Sequence, residues 1–319
     1  MWRKKNSTER RRRFGFSSNA IETLEGVDLS GKTYAITGTT NGIGSETARA
    51  LALKGAHVVM LNRNVKASQD QRDSILKEKA DAQIDVIECN LSCLKSVKRA
   101  AEDFKDKKWP LHVLVLNAGV LSPAQKTTED GLESHFGVNH VAHVLLINEL
   151  LPVLRQSAPS RIVLVSSKLH YSARVPRKTT PSEKAEYLCP NESKKDFMTL
   201  YSMSKMCNVL TAFKLHRQEH ANGISVYVLH PGIINTSIKR DMGVLGSLIW
   251  LAWRPFTKTL SQGAATTVYC AGSPDVEKVS GKYWEDCWDD ENKLNKTARK
   301  VELQDALWDR TQQIIHSLV

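Results

Sequence analysis

A tyrosine and a lysine stand at a spacing that suits proton transfer. Tyr201 and Lys205 are separated by Ser202-Met203-Ser204, so on a helix their side chains point the same way, about one turn apart. An ammonium held beside a phenol stabilises the phenolate and lowers the pKa of the tyrosine. Such a tyrosine can donate or accept a proton near neutral pH. Because this spacing is common on helices, its weight depends on the motifs that accompany it.

Four further motifs precede this pair: Thr37–Gly44, Asn117-Ala118-Gly119, Asn139 and Ser166-Ser167. The elements that would position them alternate along the chain. Short apolar runs predict strands at Lys32–Thr37, Ala56–Leu61, Ile84–Glu88, His112–Leu116, Arg161–Val165 and Ser225–Leu229. Helical patterns lie at Gly42–Lys54, 65–80, 93–107, 130–155, 200–221, Gly263–Ala271 and Thr297–Ile315. This alternation predicts an α/β fold, a mainly parallel sheet with helices on both faces.

Three segments depart from the alternation. Residues 1–29 read as a basic tail and lead-in to one domain that spans residues 30–319. Residues 172–198 are polar, charged and proline-containing, which predicts a long exposed insertion before the Tyr201 helix. Residues 237–256 are rich in Leu, Ile and Trp, and their most apolar run, Val244 to Trp253, is too short to span a bilayer. That run could lie on a membrane or line a substrate pocket.

The positive charge is concentrated at the start of the chain. The formal net charge is +11, of which residues 1–13 carry +6. A basic tail of this kind contacts acidic lipid, nucleic acid or a transport receptor in some proteins, but a solvated disordered tail is the favoured interpretation. We therefore expect no nucleic-acid partner, and peripheral membrane contact and a mitochondrial address stay open.

Metal and disulfide chemistry are not expected. The six cysteines form no CxxC pair, and they are interpreted as reduced thiols of an intracellular protein, with the cytoplasm favoured. His216-Arg217-Gln218-Glu219-His220 fits the H-x-x-E-H zinc-protease pattern. The segment continues the Tyr201 helix beyond its apolar stripe, so a polar helix end is favoured over a zinc site.

The glycine-rich segment predicts a dinucleotide site. A strand, a glycine-rich turn and a helix form the arrangement that binds a pyrophosphate at the helix N-terminus. Gly38 would permit the tight turn, Gly42 would let the backbone approach the phosphates, and Gly44 would let the helix pack on the sheet. The spacing is Gly-x-x-x-Gly-x-Gly, not G-x-G-x-x-G. A strand–turn–helix connection without a ligand is the alternative.

The residues after the second strand favour NADP(H) over NAD(H). Sites that prefer NAD usually place an acid there to bind the ribose hydroxyls, whereas this chain has Asn62 and Arg63. A guanidinium binds a 2′-phosphate bidentately. The alternative is that Arg63 is an ordinary surface arginine. Asn90 and Leu91, after the next strand, stand where adenine would lie.

Taken together, residues 30–290 resemble the short-chain dehydrogenase/reductase family, most of all its retinol-dehydrogenase-like branch. The motifs that carry the resemblance are the glycine turn at 38–44, Asn117-Ala118-Gly119, Asn139, Ser166-Ser167, Tyr201-x-x-x-Lys205, and Pro231-Gly232 followed by Thr236. There are two departures: Asn90 replaces the usual acid after the third strand, and Leu116 replaces the first asparagine of Asn-Asn-Ala-Gly. The resemblance implies a single doubly wound Rossmann domain of about seven strands.

The resemblance also implies roles for the catalytic residues. Tyr201 would be the general acid/base, and Lys205 would lower its pKa and bind the nicotinamide ribose. Ser167, chosen over Ser166, would hydrogen-bond the substrate oxygen. Asn139 would hold a water that links Lys205 to solvent.

The cofactor-binding set extends along the whole groove implied by the family. It comprises Gly38, Thr40, Asn41, Gly42, Ile43, Gly44, Arg63, Asn90, Leu91, Asn117, Ala118, Gly119, Tyr201, Lys205, Pro231, Gly232, Ile233 and Thr236. Residues 237–256 would form a lid over an apolar substrate.

These observations lead to one expected function and one alternative. We expect an oxidoreductase that transfers a hydride between NADP(H) and the carbonyl or alcohol of a small apolar substrate: a retinoid, a steroid or a lipid-derived aldehyde or ketone. The alternative is an NADP-binding scaffold with little turnover, against which the intact catalytic set argues. Assembly into a homo-oligomer is compatible with either function.

Overall fold

The structure is a computed structural model that describes residues 13–190, 195–234, 257–277 and 279–319. The predicted basic tail up to residue 12, Thr236 and the predicted lid at 237–256 lie outside the described residues. The described part of the lead-in is folded onto the domain, where the Phe14 ring packs edge-on against Tyr269 at 5.5 Å between ring centroids.

The strands are β1 Thr33–Thr37, β2 His57–Asn62, β3 Ile84–Glu88, β4 Val113–Leu116, β5 Ser160–Val165, β6 Ile224–His230, β7 Lys282–Glu285 and β8 Trp288–Asp289. The helices are α1 Gly42–Leu53, α2 Val65–Glu78, α3 Leu94–Asp106, α4 Ser134–Phe136, α5 Ala142–Gln156, α6 Pro181–Leu188, α7 Phe197–Glu219, α8 Leu260–Gly272 and α9 Val301–Leu318. A π-helical turn, Gly137–Val141, joins α4 to α5.

All eight strands form one sheet in the order β3-β2-β1-β4-β5-β6-β7-β8. Only the β7–β8 pair is antiparallel. Strands β1 and β4 are buried along their whole length, as continuous apolar runs require in a sheet that is covered on both faces. The expected α/β Rossmann architecture is confirmed. The two short strands β7 and β8 bring the count to eight among the described residues, instead of about seven.

Two buried clusters flank the sheet. One packs α3, α5, α7 and α9 on one face, and the other packs α1, α8 and the lead-in on the opposite face. The stretch Ser134–Gln156 is long and apolar enough to cross a membrane by length and composition alone, but most of it is buried inside the domain. It is thus accounted for as the central helix of one layer.

The expectation of an exposed insertion at 172–198 is wrong for its middle part. Helix α6 begins with a capping box between Thr180 and Glu183, with Pro181 at its first position, a combination that stabilises a helix start. Leu188 is fully buried in the core, and Arg310 of α9 donates a hydrogen bond to Glu186 at 3.1 Å. Packing against α9 therefore orders a segment whose composition alone suggests a loop.

Candidate active site

A groove of about 1010 Å³ opens at the carboxyl ends of the parallel strands. Strand order reverses between β1 and β4, which is the point where open α/β sheets bind ligands. Twelve of the predicted cofactor residues line it: Gly38, Thr40, Asn41, Gly42, Ile43, Gly44, Arg63, Asn90, Leu91, Asn117, Ala118 and Gly119. The lining also contains Phe197 and Met198, which precede Tyr201 on α7.

The turn between β1 and α1 depends on its glycines. Gly38 has φ +74°, and a Cβ there would stand 2.9 Å from the Cα of Ala118. A Cβ on Gly44 would stand 2.0 Å from the carbonyl oxygen of Gly38. Gly42 has φ +60° with no protein atom within 4 Å of a Cβ. The turn is therefore tight against the protein and open toward the groove, a cradle that fits a dinucleotide pyrophosphate at the N-terminus of α1.

The amide of Asn62 is used inside the protein. Its Oδ1 accepts a hydrogen bond from the Thr39 backbone at 2.7 Å, and its Nδ2 donates to the hydroxyls of Thr39 and Ser68 at 2.7 and 2.9 Å. The adjacent Arg63 is exposed and lines the groove. Among the described residues that line the groove there is no Asp or Glu. The charge available at this end of the groove is thus positive.

The amides of Asn117 and Asn90 also bind the protein. Asn117 Nδ2 donates to the carbonyls of Thr37 and Gly38, both at 3.0 Å, so it fixes the glycine turn. Asn90 Nδ2 donates to Glu129 at 2.9 Å, and its Oδ1 accepts from the Ser92 backbone at 3.1 Å. Both asparagines line the groove mainly as supports for its backbone.

Tyr201 and Lys205 lie on one face of α7, as expected. The Lys205 ammonium is 5.6 Å from the centre of the Tyr201 ring. Lys205 is buried and donates to the carbonyl of Val165 at 3.0 Å, and burial lowers its pKa to about 8. Burial raises the pKa of Tyr201, while the Ser167 side chain works to lower it. The pKa of Tyr201 is thus raised, whereas the sequence predicts that it is lowered. The free-energy cost of burying the charged phenolate is larger than the stabilisation that neighbouring groups provide.

The two serines after β5 have different partners. The Ser166 hydroxyl donates to the backbone carbonyl of Lys205 at 2.8 Å. The Ser167 side chain is the one that acts on Tyr201, whose pKa it works to lower, and it also accepts the Leu169 N–H at 3.2 Å. The two serines therefore differ: Ser167 acts on the Tyr201 side chain, and Ser166 holds the backbone of α7.

Asn139 lies in the π-helical turn Gly137–Val141 and is completely buried. Its Oδ1 accepts the Val120 N–H at 2.7 Å, and its Nδ2 donates to the Val120 carbonyl and the Ser204 hydroxyl, both at 3.0 Å. Asn139 thus ties the loop after β4 to the helix that carries Tyr201. The water predicted beside Asn139 stays a prediction.

After β6, the chain packs against Lys258, a residue that no sequence motif indicates. Gly232 has φ +100°, and a Cβ there would stand 2.6 Å from the Lys258 side chain. Lys258 is 1% exposed and forms an ion pair with Asp286 at 2.7 Å. Ile233, next in the chain, is 51% exposed. The Pro231–Ile233 segment therefore packs against a buried lysine that follows the predicted lid in the sequence.

Three of the histidines in the described residues hydrogen-bond other protein groups. No group of three or more metal-binding side chains comes together in that part of the chain. His216 is hydrogen-bonded to the Ser280 hydroxyl at 2.8 Å, while His140 and His143 are fully buried and hydrogen-bonded in the core. The residues of the zinc-protease pattern form the polar C-terminal end of α7.

Comparison with known proteins agrees with this geometry. The sequence model named short chain dehydrogenase matches residues 32–177. The chain is 40% identical over 309 residues to the WW domain-containing oxidoreductase of Gallus gallus, covering 96% of this chain and 73% of that relative. The chain belongs to the short-chain dehydrogenase/reductase family. It is also 36% identical over 292 residues to retinol dehydrogenase 12 of Homo sapiens, covering 91% of this chain and 88% of that relative.

Solved structures of other proteins share the fold. The RhlG/NADP active-site complex of Pseudomonas aeruginosa has a TM-score of 0.64 at 21% identity, and the match covers 80% of this chain and 94% of that chain. An uncharacterised protein of Mycobacterium paratuberculosis has a TM-score of 0.72 at 26% identity, covering 94% of this chain and 98% of that chain. The expected resemblance to the family and to its retinol-dehydrogenase-like branch is confirmed by these relatives.

Proposed function

We propose that this chain is an NADP(H)-dependent oxidoreductase that interconverts a carbonyl and an alcohol on a small apolar substrate, namely a retinoid, a steroid or a lipid-derived aldehyde or ketone. The observation that carries the proposal is the placement of Tyr201 on one helix face with the buried Lys205, with the Ser167 side chain acting on Tyr201 to lower its pKa. Tyr201 and Lys205 lie on α7, the helix whose first residues Phe197 and Met198 line the groove. Membership of an oxidoreductase family gives the reaction class.

Each of the three side chains has a distinct task. The nicotinamide, when bound, supplies or accepts the hydride. In reduction, Tyr201 donates its proton to the substrate oxygen, and Ser167 donates a hydrogen bond that stabilises negative charge on that oxygen. Lys205, with its pKa lowered to about 8 by burial, stabilises the resulting phenolate and can exchange its own proton near neutral pH.

The preference for NADP(H) rests on charge. Exposed Arg63 and the lack of any acidic residue in the described groove lining favour a ligand with an additional phosphate. The side chains of Asn62 and Asn90 are hydrogen-bonded to protein groups. Neither therefore replaces the carboxylate that NAD-preferring sites use for the ribose hydroxyls.

The apolar character of the substrate rests on the side chains near the reacting groups. Phe197 and Met198, which line the groove, are 50% and 38% exposed, and large exposed apolar side chains beside a groove suit an apolar ligand. Ile233, which we expect near the nicotinamide, is 51% exposed. The relative named retinol dehydrogenase 12 is named for an apolar alcohol. The six cysteines, all in the described residues, form no disulfide with one another, and reduced cysteines suit the intracellular, cytoplasmic site of action that is part of the proposal.

The test is steady-state kinetics with purified protein, NADPH and a panel of retinal, a steroid ketone and a medium-chain aldehyde. We expect saturating turnover on at least one member. Tyr201→Phe should reduce turnover by about 10²–10⁴-fold, the usual contribution of general acid catalysis, and leave NADPH binding nearly intact. Lys205→Ala should lose turnover and also bind NADPH more weakly. If Tyr201→Phe keeps most of the parent's activity, the proton donor is another residue. NADPH binding without turnover on any member would favour the scaffold alternative.

A further inference from the structure

A completely buried histidine lies between the cofactor loop and the catalytic turn. His143 is on α5, four residues after Asn139. Its Nε2 is 3.0 Å from the Thr37 hydroxyl at the end of β1, and its Nδ1 is 3.2 Å from the backbone carbonyl of Asn139. It has no place in the reaction described above.

The contacts of Thr37 decide which nitrogen of His143 carries the hydrogen. The Thr37 hydroxyl oxygen accepts the N–H groups of Asn117 and Ala118 at 3.0 and 3.1 Å. A hydroxyl has two acceptor lone pairs and one hydrogen. Since both lone pairs are used, its hydrogen points to Nε2 of His143, which must be unprotonated.

The other ring nitrogen then has a single assignment. The Asn139 carbonyl can only accept, so Nδ1 of His143 carries the hydrogen and donates it. Burial and the nearby Lys205 charge lower the pKa of His143 to about 3, so the ring is neutral at physiological pH. Every polar atom of the ring is thereby satisfied in one tautomer.

We propose that His143 is a positioning residue whose Nδ1–H tautomer couples the cofactor-binding loop at Asn117–Ala118 to the catalytic turn at Asn139. This role rests on the proposed function. The loop from Asn117 to Val120 is supported at one end by Thr37, which His143 holds, and at the other by Asn139. One imidazole therefore fixes both supports, and Asn117 carries the constraint on to the glycine turn through Gly38.

Histidine tautomers can be read directly by nitrogen NMR, without cofactor or substrate. The protein is labelled with ¹⁵N-histidine, and the His143 resonances are identified by their loss in His143→Asn. We expect a neutral Nδ1–H ring throughout the range from about pH 5.5 to 8, as its buried hydrogen bonds require. A neutral Nε2–H ring, or a ring that protonates within this range, would overturn the assignment.

Two substitutions separate the two contacts, because an asparagine amide stands near Nδ1 and a glutamine amide near Nε2. His143→Asn keeps a donor for the Asn139 carbonyl and loses the acceptor for Thr37. We expect it to weaken NADPH binding by about fivefold to tenfold, the loss of about one net hydrogen bond, with turnover at saturating NADPH within about twofold. His143→Gln keeps the acceptor and loses the donor, and we expect the reverse: nearly unchanged binding and about tenfold lower turnover.

NADPH fluorescence titration, thermal unfolding and kinetics on the two variants complete the test. Equal changes of binding and turnover in both variants, or a lower Tm with neither changed, would contradict the positioning role. If the parent binds no NADPH and reduces no carbonyl while the NMR shows the Nδ1–H ring, the proposed function fails and the positioning role falls with it. The tautomer assignment stands in that case, so the two failures are told apart.

Discussion

The hydroxyl of Ser166 donates a 2.8 Å hydrogen bond to the backbone carbonyl of Lys205, while the side chain of the neighbouring Ser167 acts on Tyr201, whose pKa it works to lower. Adjacent residues on a strand end point to opposite sides. Ser166 therefore supports the backbone of α7, and Ser167 is the serine that we propose for the contact with the substrate oxygen.

This difference gives a matched pair of variants. Ser167→Ala should lower turnover by about 10²–10³-fold, as removal of a transition-state donor does, with a nearly unchanged Tm. Ser166→Ala should keep turnover within several-fold and lose about 1 kcal/mol of stability through the lost buried hydrogen bond. Kinetics and thermal unfolding of both variants measure these effects. A larger loss of turnover in Ser166→Ala than in Ser167→Ala would assign the contact with the substrate oxygen to Ser166.

Arg63→Leu should weaken NADPH binding far more than NADH binding. A charge-assisted contact to a 2′-phosphate contributes about 1.5–3 kcal/mol, so we expect about a 10–100-fold rise in the NADPH dissociation constant. Lys66→Leu is the control, since Lys66 is an exposed cation nearby on α2 and pairs only loosely with Asp70 at 3.7 Å. Equal losses for NADPH and NADH would remove the role assigned to Arg63.

Gly42→Ala and Gly26→Ala should differ only in cofactor binding. Both glycines have positive φ, +60° and +72°, and neither has a protein atom within 4 Å of a Cβ. The strain of a left-handed alanine should lower the stability of each by about 1–2 kcal/mol. Only Gly42 lines the groove, so only its variant should bind NADPH more weakly, by isothermal titration. Loss of binding in Gly26→Ala would point to a general folding defect.

Stability should fall as the pH drops below the pKa of an unfolded histidine. Burial lowers the pKa of His140 to about 4 and that of His143 and His230 to about 3 from 6.5. Because these folded values lie below the unfolded one, their contribution is present above about pH 6.5 and is lost as the unfolded state takes up protons. At pH 5 the cost is on the order of 2 kcal/mol per histidine.

Urea unfolding at about pH 7.5 and pH 5 measures this dependence. His143→Asn, which cannot titrate, should show a smaller loss on acidification than the parent. His135 acts in the opposite direction: burial works to lower its pKa, but hydrogen bonds to Glu133 and the Leu121 carbonyl and the charge of Glu133 raise it. Its contribution is present below pH 6.5 and fades above it. If the parent and His143→Asn lose the same free energy of unfolding on acidification, the prediction for His143 is contradicted.

Local signals were sufficient for the elements around the glycine turn. Strands β1 and β4 are buried along their whole length and begin one residue later than predicted. The partly exposed β3 is found at the predicted residues, because its Val and Ile residues mark it in the sequence. Strands β7 and β8 gave no such signal, because Lys282–Glu285 is a short, mixed segment that becomes a strand by pairing with β6. Helix α6 likewise depends on its packing against α9.

The sequence by itself determined the family and the order of the site motifs, because spacing along a helix or after a strand is a local property. Tyr201 and Lys205 were predicted from that spacing, and Ser167 was predicted from the family resemblance. Only the tertiary structure decided what surrounds them. His143 meets Thr37 across 106 positions of the chain, and burial raises the pKa of Tyr201, which the Tyr201–Lys205 spacing alone predicts to be lowered. Hydrogen-bond partners and desolvation come from residues that folding brings together, and no local pattern encodes them.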